Sequence, residues 1–77
     1  MKWTKKLEQY STSYRLTARY KKNKLKVIYN SYYKYFYFLV YMPNDKIYNS
    51  AWDNLSYHTE QEAIDACIAY IDNKPLA

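Results

Sequence analysis

Residues that could perform catalysis or hold a metal are few in this sequence. His58 is the only histidine and Cys67 the only cysteine, so a structural zinc site with four Cys or His ligands cannot be built. Cys67 lies in an apolar helical pattern, where a thiol is usually inert, and Glu60 and Glu62 fit the carboxylate preference of a helix start. Because no set of nucleophile, base and orienting group is present, we expect a protein that is not an enzyme and that uses no metal or cofactor.

Glycine is absent from the sequence, which excludes several nucleotide- and substrate-binding motifs. The P-loop, the dinucleotide fingerprint and the G-x-S-x-G elbow all need glycine for close backbone approach or positive φ. A chain of 77 residues also has too small an interior to enclose a substrate in a deep cleft. We therefore expect a single domain over residues 1–77 and no small-molecule substrate.

The chemistry that the sequence does offer is that of tyrosine rings beside cations, with 12 tyrosines and 12 Lys or Arg residues. The charge is uneven: residues 1–42 carry ten Lys or Arg and one acid, a net charge of +9, and residues 43–77 carry a net charge of −4. Such asymmetry predicts a basic surface whose natural partner is nucleic acid or an acidic protein surface.

The expected compartment is the cytoplasm. A lone cysteine suits a reducing environment, and the first residues are charged where a signal peptide would be apolar. The most apolar run, residues 35–42, is far shorter than the roughly 20 residues of a membrane-spanning helix. No membrane association is expected.

A C-terminal helix is the element that the sequence predicts most directly. Thr59 and Glu62 form a capping box, in which each side chain satisfies a backbone N–H at the helix start. Asn73, which tolerates the left-handed conformation, and Pro75 end the pattern. The spacing predicts a helix over residues 59–72, with one apolar stripe that contains Ala63, Ile64, Cys67, Ile68, Tyr70 and Ile71.

Upstream of this helix the apolar period changes from 3.6 to 2, which indicates strands. Residues 14–21 alternate between apolar and polar side chains, and a turn at residues 22–24, with Asn23 at positive φ, leads to a second strand over residues 25–29. A third strand is predicted over residues 32–42. After a turn at residues 43–46, a fourth strand is predicted over residues 47–52.

The remaining segments complete an α+β prediction. Trp3, Leu7 and Tyr10 have helical spacing, which favours a short N-terminal helix or an arm over a strand. The predicted fold is a three- to four-stranded antiparallel meander with the helix packed on one face, and Trp52 closing the open end of the core. Because one helix covers only one side of a sheet, the other side must face water, a partner or a second copy of the chain.

The uncovered side of the sheet is the predicted binding surface. If Phe36 and Phe38 face the helix, the tyrosines of the third strand face away from it, beside the polar residues of the first two strands. Cations there would neutralise phosphates while tyrosine rings stack on unpaired bases, so we expect nucleic-acid binding, to single strands or through the backbone. The predicted binding residues are Arg15, Arg19, Lys21, Lys24, Lys26, Tyr33, Tyr35, Tyr37 and Tyr41.

Binding of another protein is the alternative, since Tyr and Arg are enriched at interface hot spots. Self-association into a homodimer through the same face belongs to this alternative. In size and style the chain resembles phage or mobile-element inhibitors of host systems, including anti-CRISPR proteins. The basic hairpin over residues 14–26 and the helix start at Thr59 to Ala63 also resemble the arm-binding domains of phage-type integrases, which would imply a three-stranded sheet in the major groove.

Overall fold

The computed structural model describes residues 2–8 and 12–73, which form a five-stranded antiparallel sheet and one C-terminal helix. The α+β class is therefore confirmed, with more strands than the three or four expected. The elements are β1 (Thr4–Leu7), β2 (Tyr14–Tyr20), β3 (Asn23–Asn30), β4 (Tyr35–Tyr41), β5 (Ile47–Asn49), a 3₁₀ helix (Ser50–Asp53) and α1 (Glu60–Asp72).

The sheet is a meander, because its spatial order β1-β2-β3-β4-β5 follows the chain. Neighbouring strands in such a sheet are about 4.8 Å apart and alternate their side chains between two faces. The face against α1 holds the core, in which Phe38, Leu25, Val27 and Val40 are the largest fully buried apolar side chains of the strands. Phe36 and Phe38 thus face the helix as predicted.

The helix begins where the sequence predicts. The N–H of Glu62 donates to the Thr59 hydroxyl over 3.1 Å, and α1 runs to Asp72. Ala63 and Cys67 of the apolar stripe are fully buried. Asn73 does end the helix, but with φ −98° and ψ 2° it is not left-handed as we expected; Pro75 lies outside the described residues. No helix in residues 2–8 and 12–73 combines the length and apolarity needed to cross a membrane.

The β2–β3 turn differs from its prediction. Tyr20 pairs with Asn23, so the loop consists of Lys21 and Lys22 alone, with φ of 48° and 66°. A two-residue hairpin of type I′ requires positive φ at both positions, and here two lysines adopt it. Asn23 instead belongs to β3, where its side-chain amide donates to the carbonyls of Tyr20 and Lys21 over 3.2 and 2.9 Å.

The N-terminal segment is a strand, and the prediction of a short helix or arm is wrong. β1 pairs antiparallel with β2 from Thr4 opposite Thr17 to Leu7 opposite Tyr14. Trp3 packs against the core, whereas Leu7 is 67% exposed. The backbone pairing with β2, rather than the burial of an apolar stripe, therefore holds this segment in the strand conformation. Tyr10 lies outside the described residues.

The fourth predicted strand is shorter than expected, because the chain leaves the sheet after Asn49. Ser50 is fully buried and its hydroxyl accepts the backbone N–H of Phe38 over 3.0 Å, which replaces a strand partner. The chain then forms the 3₁₀ helix, which leaves Trp52 67% exposed. The expectation that Trp52 closes the core is therefore wrong. Beyond the 3₁₀ helix, Tyr57 exchanges two backbone hydrogen bonds with Phe36, of 2.8 and 2.9 Å.

Candidate nucleic-acid interface

We call the side of the sheet opposite α1 the outer face. Strand alternation puts the odd-numbered residues of β2 and β4 and the even-numbered residues of β3 there. No position of the outer face carries an acid in β2, β3 or β4. The strand register gives three rows across β2, β3 and β4, namely Arg15–Ile28–Tyr37, Thr17–Lys26–Leu39 and Arg19–Lys24–Tyr41.

Four of the predicted cations lie together on this face and form what we call the basic strip: Arg15, Arg19, Lys24 and Lys26. Arg19 pairs directly with Lys24 across β2 and β3. Within the described part of the chain, none of the four has a carboxylate within ion-pair distance, and the ion pair that is present there lies elsewhere, between Lys21 and Asp72. The basic strip therefore keeps its charge available to an external anion.

The carboxylates are engaged around the helix instead. The Tyr14 hydroxyl donates to Glu60 over 2.7 Å at the start of α1, and the Tyr20 hydroxyl and Lys21 Nζ donate to Asp72 over 2.9 and 2.7 Å at its end. The hydrogen bond from Lys21 holds the pKa of the Asp72 carboxyl below its usual range. Lys21 therefore points to the helix side, and its predicted place on the outer face is wrong.

The tyrosines of the outer face form a contiguous row, which we call the tyrosine row: Tyr33, Tyr35 and Tyr37. Ring centroids are 6.0 Å apart from Tyr33 to Tyr35 and 6.0 Å apart from Tyr35 to Tyr37. Burial raises the pKa of Tyr37, and the neighbouring Tyr35 and Tyr41 raise it further. Tyr41 shares the face, but Lys26 Nζ lies 5.0 Å from the centre of its ring, so one ring face is already occupied.

The β3–β4 turn presents one end of the tyrosine row. Tyr33 lies in this turn rather than in the predicted third strand, which begins at Tyr35. The Asn30 side-chain oxygen accepts the N–H groups of Tyr32 and Tyr33 over 2.9 and 3.1 Å, and Lys34 closes the turn at φ 57°. Tyr32, which sequence reasoning did not select, is 83% exposed, and its ring centroid is 4.8 Å from that of Tyr33.

A shallow concavity, which we call the basic depression, lies at the other end of the outer face. It has a volume of about 410 Å³ and is lined by Lys2, Thr4, Thr17, Ala18, Arg19 and Lys24. Lys2 and Thr4 are not among the binding residues predicted from the sequence, because the sequence favours a helix or an arm for the N-terminal segment. The pairing of Thr4 with Thr17 brings both residues onto the outer face. The signal for a strand here would be an apolar period of two, but β1 has only four residues and none of them is buried.

The residues first considered for catalysis are not brought together. Cys67 is fully buried, and burial raises the pKa of its thiol to about 12, so it stays protonated at neutral pH. His58 is exposed ahead of α1. Among the described residues, no group of three or more His, Cys, Asp or Glu side chains could hold a metal ion.

The outer face thus combines four cations that have no carboxylate partner in residues 2–8 and 12–73 with a row of tyrosine rings, over a core that is closed on the other side by α1. No similar protein indicates which ligand this face binds. Comparisons with protein-family models, with curated proteins and with solved structures find no match to this chain.

Proposed function

We propose that the protein binds single-stranded nucleic acid on its outer face. The observation that supports this function is the segregation of charge: among the described residues the basic strip has no carboxylate partner, while Glu60 and Asp72 bind tyrosine and lysine groups at the helix. Cations of the basic strip would neutralise phosphates and release their counterions. Arg15 lies in one row with Tyr37, two strand spacings or about 10 Å away, so the tyrosine row would receive the bases of a strand bound along the basic strip.

A single strand suits this face better than a duplex does. Stacking on tyrosine needs an accessible base face, and in a duplex both faces of each base are covered by its neighbours. The rings of Tyr35 and Tyr37 are only 6.0 Å apart and inclined by 32°, so a base would stack on the row from outside rather than enter between them. Stacking of this kind tolerates any base, so little sequence preference is expected.

The test is a fluorescence anisotropy titration of a labelled oligothymidine and of a duplex of equal length at low salt. We expect the single strand to bind more tightly. Tyr37→Ala should weaken its binding by about 1–3 kcal/mol through lost stacking, whereas Tyr37→Phe keeps the ring and should bind nearly as the parent does. Thermal unfolding of each variant checks that the sheet is intact.

Absence of binding to either oligonucleotide at low salt would refute the proposal. Tighter binding to the duplex, or equal losses from Tyr37→Ala and Tyr37→Phe, would refute the stacking geometry.

A protein partner is the second candidate, because exposed apolar residues continue beyond the tyrosine row. Trp52 and Leu55 are 67% and 44% exposed. Leu55 lines a concavity of about 200 Å³ with Tyr35 and Ala51. Size-exclusion chromatography of a lysate with and without nuclease distinguishes the two functions: a complex that persists after nuclease, with no 260 nm excess, would favour the protein partner.

A further inference from the structure

The basic depression carries more positive charge than one internal phosphate of a nucleic-acid strand can neutralise. Lys2, Arg19 and Lys24 contribute three cations around one concavity of about 410 Å³. An internal phosphodiester has one negative charge per nucleotide, whereas a terminal phosphate has about −1.5 to −2 at neutral pH and three strong acceptor oxygens. The charge at this end of the outer face therefore matches a phosphomonoester.

Two hydroxyls complete the lining of the basic depression. Thr4 and Thr17 lie opposite each other in the β1–β2 ladder and so present their side chains on the same face. Neither hydroxyl makes a hydrogen bond within the part of the chain that the structure describes, and both line the concavity. Uncommitted hydroxyls beside three cations are the donor set that a phosphate with several free oxygens would use.

The position of the basic depression fits the end of a bound strand. Arg19 and Lys24 share a row with Tyr41, at one end of β4, while Tyr35 starts β4 at its other end. Six residues of strand separate Tyr35 from Tyr41, which is roughly 20 Å. A short single strand whose terminal phosphate lies in the basic depression could therefore lay its following bases toward the tyrosine row.

From these observations we infer that the basic depression is a site for the terminal phosphate of a single-stranded nucleic acid. The inference rests on the proposed function, because the strand must lie on the outer face. It makes the protein a binder of phosphorylated strand ends, with Arg19, Lys24 and Lys2 as the anion-binding residues.

The experiment measures the affinity of the full chain for three versions of one labelled oligothymidine. The first version has a 5′-phosphate, the second has a 3′-phosphate, and the third has hydroxyls at both ends. Each exposed ion pair contributes up to about fivefold in affinity, so we expect one phosphorylated version to bind about tenfold more tightly than the hydroxyl version. Inorganic phosphate in excess should remove this preference without abolishing binding, since the tyrosine row still holds the bases.

Variants distinguish the terminal-phosphate site in the basic depression, which we call the end site, from the rest of the outer face. Arg19→Ala and Lys24→Ala should each reduce the preference for the phosphorylated strand, whereas Tyr37→Ala should weaken all three oligonucleotides by the same factor. Lys46→Ala is the matched control, because Lys46 is an exposed lysine of the β4–β5 turn that does not line the basic depression; the preference should survive it. Unfolding curves confirm that each variant is folded.

The outcomes distinguish this inference from the proposed function. If all three oligonucleotides bind with equal affinity, the end site is refuted and the single-strand function stands. If none of them binds, both are refuted. A preference that Lys46→Ala reduces as much as Lys24→Ala does would also overturn the end site, because general charge would then explain it.

Discussion

The salt dependence of binding is the sharpest test of how many cations of the outer face contact phosphates. The basic strip has four cations, none with a carboxylate within ion-pair distance among the described residues. Single strands contribute a log–log slope of about −0.7 for each phosphate neutralised, so four contacts predict a slope of about −2.8. Between about 50 and 200 mM salt the affinity should therefore fall about 50-fold.

Lys24→Ala removes one of these contacts. The slope should then become about −2.1, and the loss of affinity over the same salt range should shrink to about 20-fold. Lys46→Ala removes the same charge from the β4–β5 turn, outside the basic strip, and should leave the slope at about −2.8. The assay is the anisotropy titration of hydroxyl-ended oligothymidine, repeated at four or more salt concentrations.

Two results would refute this reasoning. A slope near zero for the parent protein would mean that the cations do not contact phosphates. Equal slopes for Lys24→Ala and Lys46→Ala would mean that only the net charge of the protein matters, and that the basic strip is not the path of the backbone.

Three further predictions concern stability. Phe38→Ala, which empties the centre of the core, should lower the free energy of unfolding by about 3–5 kcal/mol in a urea titration. Burial and the hydrogen bond to Glu60 raise the pKa of Tyr14 from its ordinary value of 10.0 to about 12. The stabilisation from Tyr14 is thus complete below pH 10 and is lost as the pH rises through about 12; circular dichroism should show an alkaline loss of stability that is smaller in Tyr14→Phe. Lys22→Gly should raise the free energy of unfolding by about 0.5 kcal/mol, because glycine has little penalty at positive φ, while Lys46→Gly, which is not at positive φ, should lower it.

The alternation of β2 and β4 could be predicted because it is a local property of the sequence. A period of two needs only neighbouring residues, so the assignment of Phe36 and Phe38 to the core and of Tyr35 and Tyr37 to the outer face followed directly. The capped start of α1 at Thr59 is local in the same way, because all of its donors and acceptors lie within three residues.

The structure differs from the prediction where contacts between residues far apart in the sequence determine the conformation. β1 has no buried side chain, and only its ladder with β2 makes it a strand. The I′ geometry of the β2–β3 turn puts lysines at positive φ against their preference. Burial of Ser50 instead of Trp52 depends on the N–H of Phe38, twelve residues earlier. Lys21 leaves the outer face because Asp72, far along the chain, is close to it in space.

The hydrogen-bonding partners along the β5 side of β4 have a consequence for how copies of the molecule could assemble. Leu39 to Tyr41 pair with β5, the N–H of Phe38 is taken by Ser50, and Phe36 pairs with Tyr57. Among the described residues, the two edges of the sheet are β1 and β5. The edge formed by β1 is the longer of the two, although it is still short, and it carries Lys5 and Lys6. Strand addition between two β1 edges would join two copies about a twofold axis, and any further growth would depend on β5, which offers only the three residues Ile47–Asn49.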